Sequence, residues 1–404
     1  MDRSELKAWL RLSLTDGVGN GAARKLLAAF GSPQAIFCQT ADALRQVVSE
    51  VQASAIGQEP ASLQALLETS WSWLDAHGPV YRQIAVLGAA NYPSALLTMD
   101  DPPLMLYMMG GAAPLQASDS DFQKQQAARA QWLADGLRDC IAIVGSRNPT
   151  PQGAANARSF GQALASAGLT IVSGLAHGVD GAAHEGALDG LDKSSASRLV
   201  TIAVVGTGLD RVYPREHREL AHRIAANGLI VSEYPLGTPP LAANFPKRNR
   251  IIAGLSQGTL VVEAALKSGS LITARMAADQ GKEVFAIPGS IHSTQSRGCH
   301  ALIREGAKLV ESAQDVMEEL QLPARAQTLV AADGDAGSAA AGADSCDPDQ
   351  ALLKALGFDP VGLDALQARC GLETAALQAR LMTMELDGQV ARLAGGLFQR
   401  VVAG

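Results

Sequence analysis

No apolar run in this chain is long enough to cross a bilayer. The longest, such as Leu199 to Val205 and Thr259 to Leu266, stop well short of the ~20 residues that a spanning helix needs. Met1 is followed by charged Asp2, Arg3 and Glu5, not by the basic start and apolar stretch of a secretory signal, so the expected location is the cytoplasm, away from membranes. Cysteine is scarce: Cys38, Cys140, Cys299, Cys346 and Cys370 stand without any C-x-x-C spacing, which indicates neither a disulfide framework nor a zinc cluster and suits a reducing compartment. Positive charge is in deficit, 33 Lys and Arg against 40 Asp and Glu for a net −7, so any nucleic-acid site is a local patch on an acidic remainder. Two nucleotide fingerprints are also missing. Gly206-Thr-Gly208 continues with Leu209, Asp210 and Arg211 rather than as G-x-G-x-x-G, and no G-x-x-x-x-G-K-[ST] occurs, so dinucleotide binding and P-loop hydrolysis lose support.

What is present is 404 residues, 47% hydrophobic, enough for a large core and two or three domains. Residues 1–80 read as a helical module of SAM or helix-hairpin-helix type: Leu6 to Leu14, the turn Gly17-Val-Gly-Asn-Gly21, Ala22 to Phe30, and a further helical pattern from Ala41 to Trp73. The glycine hairpin has two readings, a helix N-terminus offering amides to a DNA phosphate or a tight turn in a bundle used for protein contacts.

Residues 81–320 read as the main domain. A Tyr92-Pro93 boundary and an extended segment lead to a regular alternation of short apolar strands with helices: Ile141–Val144, Leu169–Val172, Val200–Val205, Leu229–Val231, Thr259–Val262, Glu283–Ile287 and Leu309–Val310. Such runs predict an extended, Rossmann-like, doubly wound and mostly parallel α/β sheet with right-handed crossovers. The polar, Ala/Gln-rich stretch 111–139 reads as an inserted helix without an assigned task. Residues 321–349 turn to Ala, Gly, Asp and Ser without periodicity, a flexible linker, and residues 350–404 fit a winged helix-turn-helix.

Ligands of doubly wound sheets bind beyond the carboxyl ends of the strands. Four strand ends here share one composition: Gly145-Ser146-Arg147 onward to Gly153, Ser173-Gly174 onward to Asp180, Gly206-Thr-Gly208, and Ser268-Gly269-Ser270 onward to Thr273. Small side chains, bare amides and the start of the next helix accept phosphate oxygens. Beside them runs Asn244-Phe245-Pro-Lys247-Arg248-Asn249-Arg250, three positive charges in four residues with an aromatic ring, which combines phosphate neutralisation with a stacking surface for an unpaired base. Single-stranded DNA, bound without strong sequence preference, is the expected ligand. Two readings stand for Arg248 and Arg250: phosphate contact, or pairing with Glu233 or Glu263. Asp180 reads as the N-cap of a helix over Gly181 to Leu188 rather than as a catalytic acid. His177, Asp180 and His184 lack a third ligand at metal spacing, and no catalytic residue, metal or cofactor is assigned.

Taken in order, I-A-I-V-G-S-R, V-S-G-L-A-H-G-V-D-G-A-A-H, V-V-G-T-G-L-D-R-V-Y-P, S-E-Y-P-L-G-T-P-P, N-F-P-K-R-N-R-I-I-A-G-L-S, V-V-E-A-A-L-K-S-G-S-L-I-T-A and G-K-E-V-F-A-I-P-G resemble the DprA/Smf DNA-processing family of bacteria. The resemblance is dense over residues 80–315. It implies a protein that is not an enzyme: a homodimer that binds incoming single strands during natural transformation and helps load the RecA recombinase. It maps strand-binding positions onto Arg147, Ser173-Gly174, Lys247, Arg248, Asn249 and Ser268-Gly269-Ser270. Relatives commonly carry Asn where His300 stands, and no role is carried onto that position.

For the winged helix, protein contact is the favoured reading. Seven acids face five bases between Ser345 and Gly404, and Thr374 to Leu386 carries only Arg380 as a base, unlike a groove-reading helix. The competing function is a nucleotide or nucleoside-phosphate hydrolase on the same scaffold with Asp180 or Glu233 as its acid–base group. The P-G-G-x-G-T phosphate motif of such enzymes is absent.

Overall fold

The computed structural model describes residues 1–76, 78, 80–111, 131–191, 198–321, 348–357, 360–393 and 395–401. The expected 321–349 linker lies almost wholly outside them, as does most of the 111–139 segment; the part of the latter that is described includes a helical stretch at 131–136.

The N-terminal module is six helices: α1 Arg3–Leu14, α2 Asn20–Phe30, α3 Pro33–Phe37, α4 Ala41–Arg45, α5 Glu50–Ile56 and α6 Leu63–Asp75. Local chemistry starts them. The Asp2 carboxylate accepts the Glu5 amide at 2.8 Å, and Ser49 with Gln52 forms a reciprocal capping box, each satisfying amides that a helix start leaves unpaired.

A nine-stranded sheet follows, in the order β1-β2-β6-β5-β4-β3-β7-β8-β9. Its strands are β1 Val80–Val86, β2 Met105–Gly111, β3 Cys140–Val144, β4 Thr170–Ser173, β5 Thr201–Val204, β6 Leu229–Ser232, β7 Gly258–Val261, β8 Glu283–Ala286 and β9 Lys308–Leu309. From β3 onward every pairing is parallel, while β1 and β2 form an antiparallel pair that joins β6 edge to edge. The intervening helices are α7 Pro151–Ser166, α8 Val179–Asp189, α9 Arg218–Asn227, α10 Asn244–Leu255, α11 Ser270–Asp279, α12 Arg297–Arg304 and α13 Ala313–Glu319. Strand order, not chain direction, reverses between β3 and β7: β4, β5 and β6 are added on one side and β8 and β9 on the other, and this switch point opens a crevice at the strand ends.

Strand periodicity decides what each face buries. On β3, Ile141 and Ile143 pack against α7 and α8, whereas Ala142 and Val144 pack against α10, α11 and α12. The N-terminal helices do not stand apart. Leu6, Leu10, Leu26 and Leu67 belong to one buried cluster with Ile84 and Tyr107 of the edge strands and Leu220 and Ile224 of α9, and Trp73 meets Tyr107 edge to face at 6.0 Å. Among the described residues no helix is long and apolar enough to cross a membrane.

One buried imidazole makes folding sensitive to pH below neutrality. His184 of α8 is fully buried. Its Nδ1 lies 2.7 Å from Thr201 Oγ1, and because that hydroxyl donates its own proton to the Ile171 carbonyl at 2.9 Å, Nδ1 is the protonated nitrogen and Nε2 faces no partner. Burial first, then the His217 and Arg248 charges, push its pKa down to about 3. The unfolded imidazole binds a proton below about 6.5 and the folded one does not until about 3, so stability drains away as pH falls through that window, by up to ~1.4 kcal/mol per pH unit. Urea unfolding between pH 4 and 7 is expected to have a shallower pH slope in His184→Asn than in the parent; an unchanged slope would show that His184 does not resist protonation.

The C-terminal unit comprises α14 Pro348–Leu356, α15 Leu363–Cys370, α16 Thr374–Leu386 and a three-stranded antiparallel sheet in the order β10-β12-β11. Its strands are β10 Val361–Gly362, β11 Val390–Leu393 and β12 Leu397–Arg400. Leu366, Leu377, Leu381 and Phe398 contribute to its own core, the arrangement of a winged helix.

Candidate nucleic-acid interface

The switch point holds a groove of about 540 Å³. One wall is the turn after β3, with Gly145, Ser146, Arg147 and Asn148; the opposite wall is the turn after β7, with Lys267, Ser268, Gly269 and Ser270; and Phe245, Pro246, Arg248 and Asn249 of α10 lie across it. Sequence-distant loops thus converge because parallel strands deliver their ends to one edge. Two helices begin at the groove, α10 behind Ala243 without a side-chain cap and α11 behind Gly269, where Ser268 Oγ accepts the Ser270 amide at 3.3 Å. Their amides and the positive ends of their dipoles favour an anion there.

The exposed cations at the groove are Arg147 and Lys267, and neither forms an ion pair among the described residues. Lys267 is the residue that the sequence reading passed over, although it stands directly before Ser268-Gly-Ser270 as Arg147 stands directly after Gly145-Ser146. Asn148 and Gln295 were missed as well. Gln295 donates to the Asn148 carbonyl at 3.1 Å, and the Asn148 amide donates to Ser146 Oγ at 3.1 Å, so the Arg147 turn is held in one shape.

The basic segment differs from its sequence picture. Asn244 to Arg250 is the opening of α10, not an open loop, and a helical period distributes its side chains over different faces. Phe245, Arg248 and Asn249 line the groove; Lys247 is exposed but outside it. Arg250 turns away, paired with both oxygens of Glu233 and lying 3.5 Å from the Asp101 carboxylate. Arg248 is only 4% exposed: it donates to the carbonyls of Gly174 and Val204 and lies 3.9 Å from Asp180. It therefore fastens α10 to the ends of β4 and β5 and offers the groove a buried charge rather than a reaching side chain. Ser173 and Gly174 lie beneath that charge and do not line the groove. The Ser173 hydroxyl donates to the Ile143 carbonyl at 2.6 Å, and a β-carbon at Gly174 would collide with the Arg248 guanidinium.

Asp180 is not an N-cap: α8 starts behind Gly178, and Asp180, the second residue of the helix, accepts the Ala176 amide at 3.2 Å. Burial pushes its carboxyl up while Arg248 and local amides oppose this; Arg248 is pulled down by the same burial. Glu263 pairs with neither arginine. It occupies the start of α7, accepting the Thr150 amide at 2.9 Å and the Thr150 hydroxyl at 2.6 Å. The first strand-to-helix turn, which receives the pyrophosphate in dinucleotide-binding folds, is thus already filled by a carboxylate of the chain. Among the described residues no cluster of three or more His, Cys, Asp or Glu could hold a metal.

The glycine hairpin at Gly17 to Gly21 is occupied by the protein. Asn20 donates to Glu233 at 3.0 Å, Arg24 to the Asp100 carbonyl, and Gln52 to the Gly17 carbonyl at 2.8 Å. On the winged helix, Arg380 is paired with Asp349 at 3.0 Å and Arg369 donates to the Ala355 carbonyl at 3.1 Å, while α16 exposes Met382 at 65% and Leu386 at 80%. An apolar stripe with engaged bases suits a protein surface better than a phosphate backbone.

Residues 133–321 match the family described as DNA recombination-mediator protein A, and residues 336–396 match the DprA winged helix domain. Protein Smf of Escherichia coli K12 is 39% identical over 337 residues, spanning 82% of this chain and 80% of that protein. The DNA processing protein DprA of Streptococcus pneumoniae is 51% identical over 181 residues, 45% of this chain and 61% of that one. A solved structure of DprA from Streptococcus pneumoniae superposes with a TM-score of 0.60 at 34% identity, covering 79% of this chain and 98% of the other.

Proposed function

This chain belongs to the DNA recombination-mediator protein A family, the DprA/Smf proteins, and on that footing we propose that it is a single-stranded-DNA-binding protein of DNA processing in natural transformation. The observation that carries the reading is the groove at the switch point, where Arg147 and Lys267 stand without an ion pair among the described residues, beside two helix starts and the Phe245 ring. Phosphates on amides and cations and a base on the ring are contacts that carry no sequence information, so sequence preference is expected to be low. Chemistry at a bound nucleotide finds no support in the geometry: Asp180 is buried against Arg248, Glu233 is held by Arg250, and Glu263 fills the α7 start. The protein is read as a cytoplasmic binder, not an enzyme.

The test is fluorescence anisotropy with labelled oligo-dT and a length-matched duplex across a salt series. The single strand is expected to bind at least tenfold more tightly. Equal affinity would defeat the reading, and turnover of nucleotides on chromatography would favour the hydrolase. We further propose, from family membership, a homodimer whose two grooves engage one strand and gain avidity through effective concentration, and assistance in loading RecA. Light scattering with and without oligonucleotide tests the first, and RecA filament formation on coated single strands tests the second.

A further inference from the structure

The turn after β5 carries a ring that no core uses. Tyr213 is 47% exposed, and its ring centroid lies 5.4 Å from that of Phe245, with the planes inclined by 39°. Phe245 is backed by bare backbone: a β-carbon at Gly206 would come within 3.2 Å of its ring, so the phenyl ring rests on the strand end. Two large rings are thus held side by side at the groove's edge, one of them nearly half open to water. Their apolar area gains free energy when a flat partner covers it.

Phe245 lies within the groove that Arg147 and Lys267 border, and Tyr213 does not line that groove; the ring pair carries the aromatic surface past its edge. In a duplex, bases stack at about 3.4 Å and are closed on both faces. A ring face open to water can instead be covered by a base that is unpaired and has a free face of its own.

We propose that Tyr213 and Phe245 form a two-ring platform for an unpaired nucleobase, extending the site past the phosphate groove by at least one nucleotide. The proposal rests on the single-strand reading above. Tyr213 acts through its ring face, so its hydroxyl is dispensable and its contribution is independent of salt.

The experiment measures binding of dT20, and of a 20-mer backbone with every base replaced by an abasic analogue, to the full chain and to Tyr213→Ala, Tyr213→Phe and Lys267→Ala. Tyr213→Ala is expected to weaken dT20 binding about 5- to 150-fold, the span of one base–aromatic stack, with an unchanged salt slope. Tyr213→Phe should stay within about twofold of the parent, and on the abasic strand Tyr213→Ala should match it. Tyr213→Trp should show indole quenching by dT20. If Lys267→Ala weakens dT20 but Tyr213→Ala does not, or if Tyr213→Ala loses as much on the abasic strand, the platform is refuted and the groove stands. Failure of the parent to bind dT20 overturns both.

Discussion

Arg248→Met is expected to lower the free energy of unfolding by about 3 to 5 kcal/mol, the range for breaking a buried ion pair from one side. The guanidinium does two things that methionine cannot: it satisfies the carbonyls of Gly174 and Val204, and it faces the buried Asp180 carboxylate. Its removal leaves a desolvated carboxyl that keeps the Ala176 amide at 3.2 Å but no positive partner. Burial already raises the Asp180 pKa with Arg248 opposing, so loss of the arginine raises it further. A carboxyl whose folded pKa lies above its unfolded value favours folding where it is protonated and opposes it as pH rises through the folded value. The defect is therefore greatest near pH 8 and smaller near pH 5. Urea midpoints of Arg248→Met at the two pH values check the sign, and Asp180→Asn in the same chain should restore much of the loss, because it removes the stranded charge. A variant as stable as its parent at both pH values would mean that Arg248 is not part of the scaffold.

The same residue shows why the basic segment was only partly legible. In sequence, Lys247, Arg248 and Arg250 form one patch. In the fold, helix α10 sends one to solvent, one into the core and one to Glu233. Pro246 obscured the helix, yet a proline in the first turn removes only an amide that has no intrahelical partner. The parallel strands β3 to β7 were legible because each is a short, buried run rich in β-branched residues that keeps the same chemistry on both faces. The edge pair β1 and β2 was not, since Met105-Leu-Tyr-Met-Met-Gly-Gly111 has little β-branching and its partner lies across a loop. The loops at Gly145 and Ser268 were found because their glycines and serines follow strands directly. Lys267 was missed because a lone lysine in sequence does not reveal that the β3–β7 switch point sets it across the groove from Arg147.

That placement has the second large consequence. The pair Arg147→Ala and Lys267→Ala is expected to weaken oligo-dT binding on the order of 100-fold at 0.1 M salt: each neutralised phosphate on a single strand contributes about 0.7 to the salt slope, hence roughly fivefold at that concentration, and each charged hydrogen bond adds to it. The slope of log K against log salt should fall by about 1.4 in the double variant. Stability should barely move, since both side chains are exposed and form no ion pair among the described residues. Lys247→Ala and Arg250→Ala are the controls. Lys247 lies outside the groove, so its loss should cost the slope far less. Arg250 holds Glu233, which also receives Asn20 of the N-terminal helices, so its loss should lower the unfolding midpoint and leave the slope nearly intact. Anisotropy titrations from 50 to 300 mM salt distinguish these outcomes. A double variant that kept the full slope would move the strand off the switch point and onto another face of the molecule.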